Sequence, residues 1–188
     1  MALSISRTAF TTFLVNAKRQ TYAAQGDDAT VTPLLSGSRQ LEYQEGALLY
    51  RDIYFGGAYF VGQETVYDGP TPVWAMGYAG GVILSSGASS AVGQVYEFLR
   101  AALRRVTPER PYRGPSQWCE GAYVYTDEGQ GDVERFWGVE TITHEDQVVY
   151  QLRYSGGLLV RHEVAPKEWY ENTQASVHTC FHLCVRRQ

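Results

Sequence analysis

Several features that mark particular classes of protein are scarce in this sequence of 188 residues. Three cysteines are too few, and odd in number, for a disulfide framework: Cys119, Cys180 and Cys184. No apolar run reaches the roughly 18–20 residues that a membrane span requires. The apolar segment at 9–15 contains two threonines and is followed by Lys18 and Arg19, a pattern typical of a helix face and not of a signal peptide. The sequence therefore predicts a cytoplasmic protein with no membrane partner.

Basic residues are also fewer than acidic ones. Sixteen Lys and Arg residues stand against twenty Asp and Glu residues, which leaves a formal net charge of −4 and a pI near 5.6. A protein that binds phosphate backbones needs a basic face, so nucleic acid is an unlikely partner. The chain has no Gly-x-Ser-x-Gly elbow, no Cys/His signature and no glycine-rich loop with a lysine. We therefore expect no cofactor, and the sequence indicates no nucleophilic enzyme.

Apolar residues make up 44% of the chain and aromatic residues 13%, which is typical of a folded globular protein. A shift of 76 residues aligns 60–83 with 136–159 without a gap, and eight of the 24 pairs are identical. Background frequencies would give roughly one or two identities. The pattern predicts an internal duplication, with one repeat at about 9–84, a second at about 94–160, and a C-terminal extension at 161–188 of a single domain.

Each repeat has the same order of elements. Helical spacing of apolar residues predicts helices at 9–21 and 94–106. Runs rich in Tyr, Val, Phe and Trp predict strands at about 48–55, 59–67, 72–79, 121–127, 133–143 and 147–154. A polar stretch at 24–40 is typical of a surface loop. We therefore predict an α+β fold in which one helix and three antiparallel strands are duplicated, the two copies forming one pseudo-twofold domain.

Alternation along the strands places a carboxylate among apolar neighbours in both repeats. Glu64 and Glu140 follow Gly62 and Gly138 by two residues and share their faces. A buried carboxylate needs a partner, a raised pKa or a ligand. One interpretation is a cleft lined by rings with the two glutamates at its base, suited to an aromatic ligand that is cationic or donates hydrogen bonds. The other is that each glutamate is structural, bonded to tyrosine hydroxyls, backbone amides or an arginine such as Arg113.

The candidate site residues are those that share these faces, together with that arginine. They are Glu64, Glu140, Tyr50, Asp52, Trp74, Tyr78, Arg113, Tyr125, Tyr150 and Tyr154.

Two further clusters carry weaker signals. His178, Cys180, His182 and Cys184 would form two i,i+4 pairs on a helix, which leaves metal binding open beside an ordinary packed terminal element. A basic patch near the second predicted helix is typical of an exposed charged face, and it comprises Arg100, Arg104, Arg105 and Arg110.

The ordered motifs resemble an uncharacterised bacterial family, one of the domains of unknown function, whose members occur alone or attached to Xre-type helix-turn-helix regulators. The motifs are Tyr50-x-Asp52-x-Tyr54-x-Gly56, Phe60-x-Gly62-x-Glu64, Pro72-Val73-Trp74-x-Met76-x-Tyr78-x-Gly80, Phe98-Leu99, Tyr112-Arg113-Gly114-Pro115, Phe136-x-Gly138-x-Glu140, and Tyr150 to Gly157. Where the family pattern has Asn and His beside two tyrosines, this chain has Gly77 and Ser155. The resemblance implies no established activity and suggests a sensing or accessory module.

Three functions remain open from the sequence. The first is a domain that binds a small ligand or a regulatory protein partner through the aromatic face near Glu64 and Glu140. The second is an enzyme that uses one of these glutamates as a general acid or base. The third is a structural or protein-interaction module without a pocket.

Overall fold

The computed structural model describes residues 5–24, 30–83 and 89–159. Two helices and eight strands form in chain order within these residues. They are α1 (Arg7–Gln20), β1 (Arg39–Glu45), β2 (Leu48–Gly56), β3 (Tyr59–Asp68), β4 (Thr71–Val82), α2 (Ser89–Leu103), β5 (Gln117–Glu120), β6 (Tyr123–Asp132), β7 (Arg135–His144) and β8 (Gln147–Leu158). Neither helix is long and apolar enough to cross a membrane.

The strands form one antiparallel sheet in the order β1-β2-β3-β4-β8-β7-β6-β5. Strands that follow one another in the chain are joined as hairpins on each side of the centre, and β4 pairs with β8 in the middle. Tyr78 lies opposite Tyr154 in that central pair. The sheet therefore has two outer edges, β1 and β5, and a centre where residues from distant parts of the chain meet.

The first helix forms where the apolar spacing predicts it. The Ser6 hydroxyl accepts a hydrogen bond from the backbone N–H of Ala9 and caps the N-terminus. Lys18 and Arg19 lie in the last turn, where positive charge interacts favourably with the helix dipole. Phe10 and Leu14 are fully buried on the face that packs on the sheet.

Both helices cover the same face of the sheet. The ring of Phe13 in α1 lies 5.7 Å from that of Tyr43 in β1, and the ring of Phe98 in α2 stacks on Trp118 in β5 at 4.7 Å. Strand residues alternate accordingly, so that Phe60 is buried and its neighbour Val61 is half exposed. The core and the candidate residues therefore lie between the sheet and the helices.

The predicted fold class is wrong. The predicted α+β unit of one helix and three strands is not found. The protein has a single eight-stranded sheet, and each half of that sheet contains four strands. β1 has the polar sequence RQLEYQE and falls partly in the stretch predicted as a loop, and β5 has only four residues. Both are edge strands, which natural proteins keep short or charged, so neither carries the apolar alternation by which strands are recognised.

Candidate functional site

Two pairs of acidic residues lie in matching register on the helix-covered face. Asp52 in β2 is opposite Glu64 in β3, and Asp127 in β6 is opposite Glu140 in β7. All four are buried, with 0–3% of their surface exposed. Since a buried carboxylate without compensation costs several kcal/mol, the partners of each decide what it does.

Each aspartate accepts a hydrogen bond from a tyrosine of the central strand pair. The Tyr78 hydroxyl donates to Asp52 Oδ1 at 2.5 Å, and the Tyr154 hydroxyl donates to Asp127 Oδ1 at 2.7 Å. Each tyrosine must cross an intervening strand to do so. Glycine makes this possible, because a Cβ atom on Gly62 would lie closer than 3.0 Å to the Tyr78 hydroxyl.

Glu140 is fully engaged by hydrogen-bond donors. The Arg113 guanidinium binds both of its oxygens, at 2.9 and 3.0 Å, and the hydroxyls of Tyr125 and Tyr150 donate at 2.7 and 2.9 Å. Burial lowers the pKa of Arg113, but Glu140, Tyr150 and Tyr125 together raise it by more, so the guanidinium stays charged. Burial and the charge of Glu140 raise the pKa of both tyrosines, which keeps them protonated as donors. The arrangement is that of a structural ion pair.

Glu64 pairs with Lys18, which reaches it from the last turn of α1. Burial lowers the pKa of Lys18, and the negative charge of Glu64 opposes part of that shift. The crevice beside this pair, which Tyr50 and Arg113 also line, measures only about 10 Å³. That is room for one water molecule and for no organic ligand.

Asp52 and Asp127 differ in their second partner. The Arg110 guanidinium donates to Asp127 Oδ2 at 3.0 Å, whereas no Lys or Arg of the described residues forms an ion pair with Asp52. Burial, and then the nearby charge of Glu64, raise the pKa of Asp52 to about 7. Burial also raises the pKa of Asp127, to about 6, and the hydrogen bonds from Tyr154 and Arg110 oppose part of that rise. Asp52 is therefore the less compensated of the two carboxylates.

Asp52 lies in the wall of a cavity of about 140 Å³. Five of the lining side chains carry aromatic rings and three are arginines. The lining side chains are Tyr22, Arg39, Asp52, Tyr54, Phe60, Tyr78, Tyr96, Arg100 and Arg113. Gly56, the last residue of β2, and Gly57, in the turn that follows, also line the cavity.

The cavity adjoins a wider depression of about 880 Å³. Tyr22, Arg39, Tyr54 and Arg100 line both spaces. The geometry is that of an open vestibule leading to a ring-lined pocket with a carboxylate in its wall, and such concave sites with a few convergent polar groups are where small ligands bind.

The predicted site residues divide into two groups. Asp52, Tyr78 and Arg113 line the pocket. The others belong to the buried framework around it: Glu64, Glu140, Tyr50, Trp74, Tyr125, Tyr150 and Tyr154. Trp74, for example, stacks on Phe136 with ring centroids 5.6 Å apart, and its indole N–H donates to the backbone oxygen of Val133.

Sequence reasoning missed several residues that line the pocket. Arg39 fell in the stretch predicted as a loop, Arg100 was interpreted as part of an exposed basic patch, and Tyr96 stands beside the apolar stripe of α2. A helical projection of α2 would have found that Tyr96 and Arg100, four residues apart, share one side. Nothing in the sequence indicates that this side lies over Asp52.

Metal binding finds no support in the described part of the chain, where no group of three His, Cys, Asp or Glu side chains could hold an ion. The predicted pairs of the tail, His178, Cys180, His182 and Cys184, lie outside the described residues. Both interpretations of these residues, metal binding and an ordinary packed element, therefore stay open.

Comparison with known proteins gives one match. The model of DUF5680, a domain of unknown function, matches residues 52–159. The chain belongs to this family. The matched segment begins at Asp52 and includes Glu64, Tyr78, Arg113 and Glu140. No curated protein and no solved structure matches the chain.

The resemblance noted in the sequence is confirmed as far as a family of unknown function. The expected bacterial origin and the association with Xre-type regulators stay predictions, and so does the cytoplasmic location.

Proposed function

We propose that this member of DUF5680 is a small-molecule-binding domain whose ligand occupies the pocket at Asp52, in the role of a cytoplasmic sensing or accessory module. The observation that carries the proposal is the incompletely compensated carboxylate of Asp52 in the wall of a ring-lined, open pocket. A carboxylate held only for structure would be expected to have the partners that Glu140 has.

Binding has more support than catalysis by a glutamate. Glu140 accepts four hydrogen bonds from buried donors, and Glu64 is paired with Lys18. Neither lines the pocket of about 140 Å³. A general acid or base must reach the proton that it moves, which neither side chain does from these positions.

Ligand-dependent thermal shifts test the proposal directly. We expect at least one compound in a panel of metabolites to raise the Tm of the wild-type protein, because a ligand that binds only the folded state stabilises it. Asp52→Asn, which keeps the size of the side chain and an acceptor for Tyr78, should remove most of that shift. Arg100→Gln, at the edge of the pocket, should reduce it as well.

The matched control is Asp146→Asn, which removes one negative charge from an exposed turn with φ of 64°, a conformation that asparagine tolerates. It should leave the shift unchanged. A panel in which no compound acts on the wild type, or in which every active compound shifts all four proteins equally, would contradict binding at this pocket.

A further inference from the structure

Asp52 and Asp127 hold equivalent positions with different surroundings. Each faces a glutamate across one strand pair and accepts a hydrogen bond from a tyrosine of the central pair. At Asp127 the remaining oxygen, Oδ2, accepts from the guanidinium of Arg110. An aspartate at this position is therefore fully bonded when a cation on the helix-covered face of the sheet binds its second oxygen.

The cations nearest to Asp52 are already engaged. Lys18 binds Glu64, and Arg113 binds both oxygens of Glu140. The charges of Lys18 and Arg113 lower the pKa of Asp52 from a distance, but neither residue forms an ion pair with it. Among the described residues, therefore, no Lys or Arg takes at Asp52 the place that Arg110 takes at Asp127, and Asp52 lies in the wall of the pocket.

The outer part of the pocket has the opposite charge. Arg39 and Arg100 line both the pocket and the vestibule, and neither forms a salt bridge within the described residues. Arg104 adds a third cation to the vestibule, where Glu97 is the one carboxylate among the described residues that line it. A ligand therefore meets a net positive entrance before it reaches Asp52.

The size of the pocket limits the body of the ligand. A cavity of about 150 Å³ lined by apolar side chains accommodates one benzene ring, and this pocket measures about 140 Å³. Phe60, Tyr54 and Tyr96 line the pocket, so such a body would lie among aromatic rings. A second fused ring system would have to extend into the vestibule.

We infer that the pocket binds a molecule with a single ring and a charge at each end, a protonated amine or amidine that takes the second oxygen of Asp52 and a carboxylate or phosphate held by Arg39 and Arg100. This inference rests on the proposed function and adds the chemical class of the ligand. The cationic end repeats at Asp52 what Arg110 does at Asp127. The anionic end uses the bidentate geometry that arginine offers to carboxylates and phosphates.

Three probes with the same ring separate the two ends. They are 4-(aminomethyl)benzoate, which has both charges, benzylamine, which has only the amine, and 4-methylbenzoate, which has only the carboxylate. Isothermal titration calorimetry of the wild-type protein should show the first binding at least about tenfold more tightly than either of the others, since one hydrogen bond to a charged group contributes that much.

Variants assign each end to its residue. Asp52→Asn should reduce the affinity for 4-(aminomethyl)benzoate to that for 4-methylbenzoate, and Arg100→Gln with Arg39→Gln should reduce it towards that for benzylamine. Asp146→Asn is again the control. Equal affinity for 4-methylbenzoate and 4-(aminomethyl)benzoate, or an affinity that Asp52→Asn leaves unchanged, would overturn the inference.

The outcome also separates this inference from the proposed function. If a metabolite from the panel depends on Asp52 and Arg100 while 4-(aminomethyl)benzoate shows no preference or no binding, the ligand class is wrong and the pocket stands. If no compound depends on these residues, both fail.

Discussion

The buried carboxylates beneath the pocket differ in how completely their surroundings compensate their charge. Among the described residues, Glu140 has a guanidinium on both oxygens and two tyrosine hydroxyls besides, whereas the side-chain donor to Asp52 is one hydroxyl, that of Tyr78. Both carboxylates are almost fully buried, so burial alone does not distinguish them. The number and charge of the donors do.

The two buried glutamates are expected to differ in what their loss costs. Glu140→Gln leaves a buried guanidinium that cannot lose its proton, so we expect the free energy of unfolding to fall by about 3–5 kcal/mol. Glu64→Gln leaves Lys18, an amine whose pKa burial already lowers and which can become neutral, so we expect a smaller loss of about 1–2 kcal/mol at pH 8.

Urea denaturation at pH 8 measures both losses, and the exposed Glu120→Gln provides the control for a change of charge. The cost of Glu64→Gln should grow as the pH falls, because keeping Lys18 neutral in the folded protein becomes harder. Equal losses for the two buried variants at pH 8 would contradict this description of the pairs.

At the scale of the strand, glycine decides whether a central tyrosine reaches its aspartate. An alanine at position 62 would place its Cβ closer than 3.0 Å to both the hydroxyl and the ring of Tyr78. We therefore expect Gly62→Ala to displace Tyr78 from Asp52 and to lower the free energy of unfolding by about 1–3 kcal/mol.

Gly57→Ala is the matched control, since a Cβ there meets no atom within 4 Å. It should change the free energy of unfolding by less than about 1 kcal/mol. Chemical denaturation followed by tryptophan fluorescence measures the free energy of unfolding of both variants. Equally small losses for Gly62→Ala and Gly57→Ala would show that Tyr78 does not need a glycine at position 62.

The elements that the sequence predicts correctly are those with a strong apolar period. Periodicity identifies α1, and the six runs of aromatic and β-branched residues correspond to β2, β3, β4, β6, β7 and β8. The edge strands β1 and β5 escape detection, because a strand with one neighbour and a polar sequence has no buried alternation to reveal it. Without them, the number of strands in the fold is wrong.

At the scale of the whole molecule, the sheet brings together residues that no local pattern connects. Alternation in the strands places Asp52, Glu64 and Tyr78 on one face, as predicted, but it does not give the neighbours that arrive from elsewhere. Lys18 comes from α1, Arg113 from the segment after α2, and Arg100 from α2 itself. Which carboxylate has a full set of partners and which does not depends on these long-range contacts.

The central claim is that Asp52 has no ion-pair partner among the described residues of the free protein. Its pKa of about 7 lies above the value near 3.8 that it has when unfolded, so the folded protein binds more protons between about pH 4 and pH 7. As the pH rises through that window, the growing charge of Asp52 therefore lowers the free energy of unfolding. Glu64 disfavours this charge, whereas Tyr78, Lys18 and Arg113 favour it.

The most direct measurement is the free energy of unfolding of wild type, Asp52→Asn and the control Asp146→Asn in urea at pH 5 and pH 8, without ligand. From pH 5 to pH 8, Asp52→Asn should gain roughly 2–3 kcal/mol relative to wild type, because each pKa unit is worth about 1.4 kcal/mol. Asp146→Asn should follow wild type. If Asp52→Asn instead differs from wild type equally at both pH values, the charge of Asp52 is already compensated by the protein, which contradicts the account.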